Sequence, residues 1–189
     1  MEILDLDVPF PWTEGPPRRK GLHLTDIIQD MAISSGIRKR SDMPEELRKA
    51  HFEKGYIWER LLSMAFADQV PVRPGEFICD GIACSPDGIL YLEDGIAVAE
   101  YKCTFYSSDR DFTDTVFWSW HMQAKGYCHV IGTDLAVFYV LFLKGNHRDE
   151  PGPVKRVYPV RYSSNEIEEA WMSIVNHAKM RGWLKDEEA

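Results

Sequence analysis

The tightest constraint on the fold is the stretch SPDGILYLEDGIAVAEYKC, residues 85–103, in which two apolar β-type runs flank Asp94 and Gly95. Asp-Gly between two such runs signals a two-residue hairpin, because both central positions of a type I′ turn need positive φ. With Asp94 and Gly95 as the loop, Glu93 faces Ile96 and Asp87 faces Lys102. Cross-strand partners point to the same side of a sheet, and so do residues two apart along a strand. Asp87, Glu100 and Lys102 therefore converge on one spot at the open end of the hairpin. A one-residue slip would undo this by turning one strand over.

The rest of the chain supplies the frame. Residues 1–21 are rich in Pro and charge and read as an irregular N-terminal arm. Thr25 reads as the N-cap of a helix to about Ser35, stopped by Gly36. A longer helix starts at Ser41 to Pro44 and runs through Ala67, with Leu47, Ala50, Ile57, Leu61 and Met64 at helical spacing. Short β-type runs follow between Phe77 and Thr104: FICDGIAC, GILYL and GIAVAEYKC. A helix is expected over 112–130, strands over Leu135–Leu143 and Val154–Tyr162, and a last helix to about Arg181 that opens with a capping-box pattern at Ser163 to Glu166. This order predicts an α/β (α+β) fold, a central mixed β-sheet flanked by helices. A length of 189 residues suits one domain with a sizeable core.

Composition excludes some classes of function. No apolar run approaches the roughly 20 residues that span a bilayer. The acidic start, MEILDLDVPFPW, lacks the basic region of a signal peptide; the expectation is a cytoplasmic protein with no membrane partner. The four cysteines, Cys79, Cys84, Cys103 and Cys128, form no CxxC pair and sit among apolar neighbours. They read as buried free thiols rather than as metal or iron–sulfur ligands. The formal net charge of −8 gives no global basic footprint for nucleic acid, although carboxylates kept for metal ions also push that sum negative. The clusters Arg18-Arg19-Lys20 and Arg38-Lys39-Arg40 read as solvated loops before binding patches.

Two carboxylates and an ammonium at one strand end have a chemical use. Mg²⁺ prefers oxygen ligands, takes one or two carboxylates and keeps several waters for a substrate phosphate. Such an ion polarises a phosphoryl oxygen and activates water, and a lysine adds a point charge beside the scissile group. The plainer alternative is a salt bridge on a sheet edge.

Taken with three further pieces, the stretch resembles the PD-(D/E)XK nucleases, in particular their lambda-exonuclease-like branch of phage-type alkaline exonucleases. SPDG and the E-x-K of Glu100 to Lys102 are joined upstream by GYIWE, Gly55 to Glu59, similar to a G-x-x-x-E helix. Downstream stands QAKGY, Gln123 to Tyr127, similar to a Q-x-x-x-Y helix. At the start, RRKGLHLTDII loosely resembles a segment that contacts a DNA 5′ phosphate. The likeness covers residues 18–130 and implies a restriction-endonuclease-like core.

The resemblance also implies roles. Asp87 and Glu100 match the metal-binding carboxylates, the Tyr101 carbonyl matches a third ligand, and Lys102 matches the catalytic lysine. Glu59 matches the helix carboxylate that supports the site. Ser85 lies where phosphate is contacted, Gln123 and Tyr127 match residues that brace the site, and Arg18, Arg19 and Thr25 are candidates for the terminal phosphate. Implied with them are Mg²⁺ or Mn²⁺, two ions per site, and double-stranded DNA as substrate. A single-strand annealing protein as recombination partner and a homo-oligomer, ring-shaped in many members, complete the set. The sequence departs from the branch at residue 101, Tyr where an aliphatic residue is usual; its side chain is expected on the opposite sheet face.

Gln123 and Tyr127, four apart, share a helix face, and Gly55 and Ser63 flank Glu59 by one turn each way. Phe117, Trp118 and Trp120 invite a base-stacking reading, but core or subunit packing suits large aromatics better. Trp171, Ile174, Val175 and Ala178 read as core. Three functions stay open: a 5′-to-3′ DNA exonuclease, an endonuclease of the same fold, and a non-catalytic nucleic-acid-binding module. The presence of all three core charges counts against the last.

Overall fold

The computed structural model describes residues 20–39, 44, 53–58, 60, 61, 64, 74–93 and 95–185. In chain order these form β1 (Leu22–His23), α1 (Leu24–Ser34), β2 (Phe77–Cys79), β3 (Ile82–Cys84), β4 (Gly88–Leu92) and β5 (Gly95–Thr104). They continue with α2 (Trp118–Ile131), β6 (Leu135–Phe142), β7 (Val154–Arg161) and α3 (Ser164–Met180). Residues 53–58, 60, 61 and 64 are also helical.

The main sheet runs β4-β5-β6-β7. Its β5–β6 pair is parallel and its other two pairs are antiparallel, which makes it mixed. Parallel neighbours need a crossover, and α2 supplies it. A smaller sheet, β1-β3-β2, stands beside it. The expected α/β (α+β) class holds, with two mixed sheets rather than one.

The alternation in β5 explains how it is covered on both sides. Val98 joins the main core, where α1, α2 and α3 pack with Leu24, Ile27, Phe138, Trp171 and Ile174 fully buried. Ala97, Ala99 and Tyr101 point the other way, into a second cluster with Leu90, Val137 and Trp58 of the 53–58 helix. A strand buried on both faces reads as an unbroken apolar run, as IAVA does. Tyr101 therefore lies on the far side of the sheet, its ring edge-on to Tyr139 at 5.7 Å.

The hairpin register differs from the sequence expectation. Leu92 pairs with Gly95 and Gly88 with Ala99, so Gly95 begins β5 instead of ending the loop. Relative to the expected pairing, the register moves by two residues. Among the described residues, Asp80-Gly81 is an Asp-Gly pair with both φ positive, at 49° and 75°. It folds FICDGIAC, which reads as one run in the sequence, into the β2–β3 hairpin. Trp171 of α3 holds that turn by donating its indole N–H to Asp80 at 2.8 Å.

Helix starts differ as well. α1 begins at Leu24, with His23 as N-cap and Thr25 inside the first turn. Leu22 and His23 are tied to Ile82 and Ala83 of β3, and Leu24 must enter the core at once, so pairing and burial override the capping preference of Thr25. Leu24 packs on α2 at Gly126, where a Cβ would stand 2.9 Å from its methyl carbon. α2 starts at Trp118, not residue 112, because Asp111 accepts from the Thr113 N–H and turns the chain first. Leu61 and Met64 are 51% and 66% exposed, and it is Trp58 that carries this segment into the core. Leu47 and Ala50 lie outside the described residues. The strands β6 and β7 and the boxed helix α3 match their expected places.

Candidate active site

The β4–β5 ladder ends in a fork. After the Gly88–Ala99 pair the next N–H of β5 in ladder phase, that of Tyr101, has no β4 carbonyl to meet. It donates to Asp87 Oδ2 instead, at 2.7 Å. A carboxylate thus replaces the carbonyl and is anchored at the point where the strands separate. Glu100 stands beside it on β5 with 0% exposure.

A buried carboxylate is costly unless it is hydrogen-bonded or paired. Lys102 Nζ meets Glu100 Oε2 at 2.5 Å and Gln123 Oε1 of α2 at 2.9 Å. Gln123 Nε2 in turn donates to the Tyr127 hydroxyl at 3.1 Å. The amide has one workable orientation: an ammonium only donates, so it must meet the oxygen, and the NH₂ is left for the phenol. Burial pushes the Tyr127 hydroxyl well above the ordinary phenol range, and the Glu100 charge adds to this, so the ring stays neutral. The E-x-K strand and the Q-x-x-x-Y helix therefore meet through one chain of contacts, Glu100–Lys102–Gln123–Tyr127, with Asp87 at its open end.

The remaining expected residues are less central. Ser85 is exposed and donates to Glu76 at 3.4 Å. Thr25 lies in the turn of α1 that packs on Gly126, next to Tyr127. Among the described residues, a Cβ at Gly55 meets nothing within 4 Å. Glu59, Ser63, Arg18 and Arg19 lie outside the described residues. Glu76, which carries no motif, is brought alongside Ser85 and 3.7 Å from His23 by the β2–β3 pairing. Recognising Asp80-Gly81 as a turn would have placed it there.

The donor set suits a hard cation. Asp87, Glu100 and the Tyr101 carbonyl offer only oxygen, and Glu100 is paired with the Lys102 ammonium. Among the described residues no group of three or more His, Cys, Asp or Glu is placed to hold a metal; Asp87 and Glu100 make two, and Glu59 lies outside the described residues. All four cysteines are free thiols, Cys84 and Cys128 buried and Cys79 and Cys103 half-buried. Burial pushes Cys84 and Cys128 up to about 12, which keeps them protonated and inert. Phe117 is fully buried, as the core reading requires, and Trp118 and Trp120 pack half-buried against it. Among the described residues no helix is long and apolar enough to cross a membrane.

The fold has solved counterparts. The chain resembles the structure of SSO0001 at 15% identity and a TM-score of 0.54, over 91% of this chain and 80% of that one. It is also similar to a phage related exonuclease from Haemophilus somnus 129PT, at 11% identity and a TM-score of 0.47, over 82% of this chain and 79% of that one. No family model matches the sequence, and no curated protein does. At 15% identity the likeness to SSO0001 shows a shared fold and nothing finer.

Proposed function

We propose that this protein is a metal-dependent nuclease that hydrolyses phosphodiester bonds, acting on double-stranded DNA ends as a 5′-to-3′ exonuclease. The observation that carries the reading is the contact chain Glu100–Lys102–Gln123–Tyr127, with Asp87 bonded to the backbone N–H of Tyr101 next to Glu100; these residues stand in the motif order of the nucleases the sequence resembles. Asp87, Glu100 and the Tyr101 carbonyl would hold Mg²⁺ or Mn²⁺. When bound, such an ion would polarise the phosphoryl oxygen and make water a nucleophile at neutral pH.

The chain's own groups do the rest. Lys102, 13% exposed at its side chain, presents a positive charge next to the carboxylates and is aimed by Gln123. Tyr127 fixes Gln123 and, being neutral, adds no competing charge. Arg18, Arg19 and Thr25 are proposed to meet the terminal phosphate, and Ser85 an internal one. Glu59 would support the ion, and the proposed assembly is a homo-oligomer working with a single-strand annealing protein.

The test uses end-labelled linear duplex and supercoiled plasmid with Mg²⁺, Mn²⁺ or EDTA. The expected result is cation-dependent release of label from the linear duplex with the closed circle intact. Efficient nicking of the circle would make the protein an endonuclease. No cleavage of any DNA would sink the enzymatic reading.

A further inference from the structure

A groove opens just past Lys102, where Thr104, Phe105 and Tyr106 form one wall of a space of about 450 Å³. The end of α1, Lys54 and the start of α2 close it, and none of the described lining residues is acidic. Two lining residues, Arg38 and Lys54, are basic.

The cations gather at aromatic rings. Lys54 Nζ stands 4.3 Å from the centre of the Phe105 ring, and Lys144 Nζ 5.6 Å from the same ring. The Arg110 guanidinium is 5.8 Å from the Tyr106 ring and is already paired with Asp114 at 2.9 Å. Phe105 and Tyr106 are nonetheless 45% and 41% exposed. Tyr106 also packs edge-on against the buried Phe117 ring at 5.6 Å, and an exposed cation–π pair contributes about 0.5–1 kcal/mol.

Rings beside ammonium and guanidinium groups suit an unpaired nucleic-acid strand, which offers a π-face to each ring and a phosphate to each cation. A duplex keeps its bases stacked on one another and offers no such face. Phe105 follows Lys102 by three residues, roughly 10 Å of strand, so a chain crossing the acidic cluster reaches the ring within a few nucleotides. We propose that this groove holds a single strand entering or leaving the acidic cluster, with bases against Phe105 and Tyr106 and phosphates toward Arg38, Lys54 and Lys144. The link to the cluster rests on the nuclease reading; binding in the groove does not. Arg38, part of a basic run that reads as a solvated loop on sequence grounds, lines the groove.

The experiment measures anisotropy of fluorescent (dT)₁₂ in EDTA for the whole protein and for Phe105→Ala, Phe105→Leu and Lys54→Ala. Both Phe105 variants should bind about tenfold more weakly, and Lys54→Ala should flatten the log–log salt slope by about 0.7. A duplex of the same length should bind all forms alike apart from the salt term. Unchanged (dT)₁₂ affinity in both Phe105 variants overturns the proposal, as does an equal loss for duplex. Hydrolysis of bis(p-nitrophenyl) phosphate with Mn²⁺ is read in parallel, since this small diester reaches only the cluster and should turn over equally in all forms. If the parent protein also leaves linear and circular DNA intact with Mg²⁺ or Mn²⁺, the nuclease reading fails while the oligonucleotide measurement still decides the groove.

Discussion

Asp87 does two jobs that one substitution separates. Its Oδ2 closes the β4–β5 ladder by accepting from Tyr101 N–H, and its charge faces the cluster. Asn keeps an acceptor oxygen and loses the charge. Asp87→Asn is therefore expected to unfold within about 1 kcal/mol of the parent yet bind Mn²⁺ roughly tenfold or more weakly, measured by denaturant titration and calorimetry. Equal Mn²⁺ affinity would remove Asp87 from the ligand set. Lys102 is coupled differently, because Glu100 is fully buried against it. Lys102→Ala should lower cleavage by about a hundredfold or more and, in EDTA, cost about 3 kcal/mol by breaking a buried ion pair. Near-full activity would assign the lysine to structure alone. These three charges could be read from sequence because face parity survives any even register error: the true pairing is two residues from the one Asp94-Gly95 suggests. Glu76 could not be read, since its position depends on a turn hidden inside an apolar run.

Local signals were reliable where nothing tertiary opposed them. Ser163 and Glu166 form the reciprocal capping box that their spacing predicts, and β6 and β7 lie where their apolar runs do. Ser163→Ala should cost about 1 kcal/mol, read from thermal unfolding; an unchanged midpoint would mean that packing against α1 and α2 holds α3 by itself. Signals failed where another element imposed its own demand, as β3 does on the start of α1 and as exposure does on Leu61 and Met64. The α1–α3 contact carries a pH dependence. Asp30 accepts from His177 at 2.7 Å and from Arg181 at 2.6 Å, and these bonds, the His177 one first, hold its carboxyl below the ordinary 3.8. A depressed carboxylate stabilises the fold above its unfolded value and loses that stabilisation as pH falls through the lower folded one. Asp30→Asn should therefore be less stable than the parent at pH 7, with the gap closing below about pH 4. A gap that persisted at pH 2.5 would show that the ion contacts contribute nothing.

At the scale of the whole chain, two features sit at one end of the same parallel pair. The acidic cluster and the basic aromatic groove both lie toward the C-terminal end of β5, where open α/β sheets generally bind ligands. The crossover through α2 makes this possible, since it returns Gln123 and Tyr127 over the strand that carries Glu100 and Lys102. Hydrophobic patterning could foretell the crossover, but not the groove. The groove depends on Arg38, Lys54 and Phe105, which share no spacing or motif and meet only when α1, the 53–58 helix and β5 are in place. The most direct test of the cluster is a crystal soaked in Mn²⁺ and measured at the manganese absorption edge. Anomalous density touching both Asp87 and Glu100 is the expected result. Density elsewhere only, or none, with those two carboxylates ordered, would contradict it.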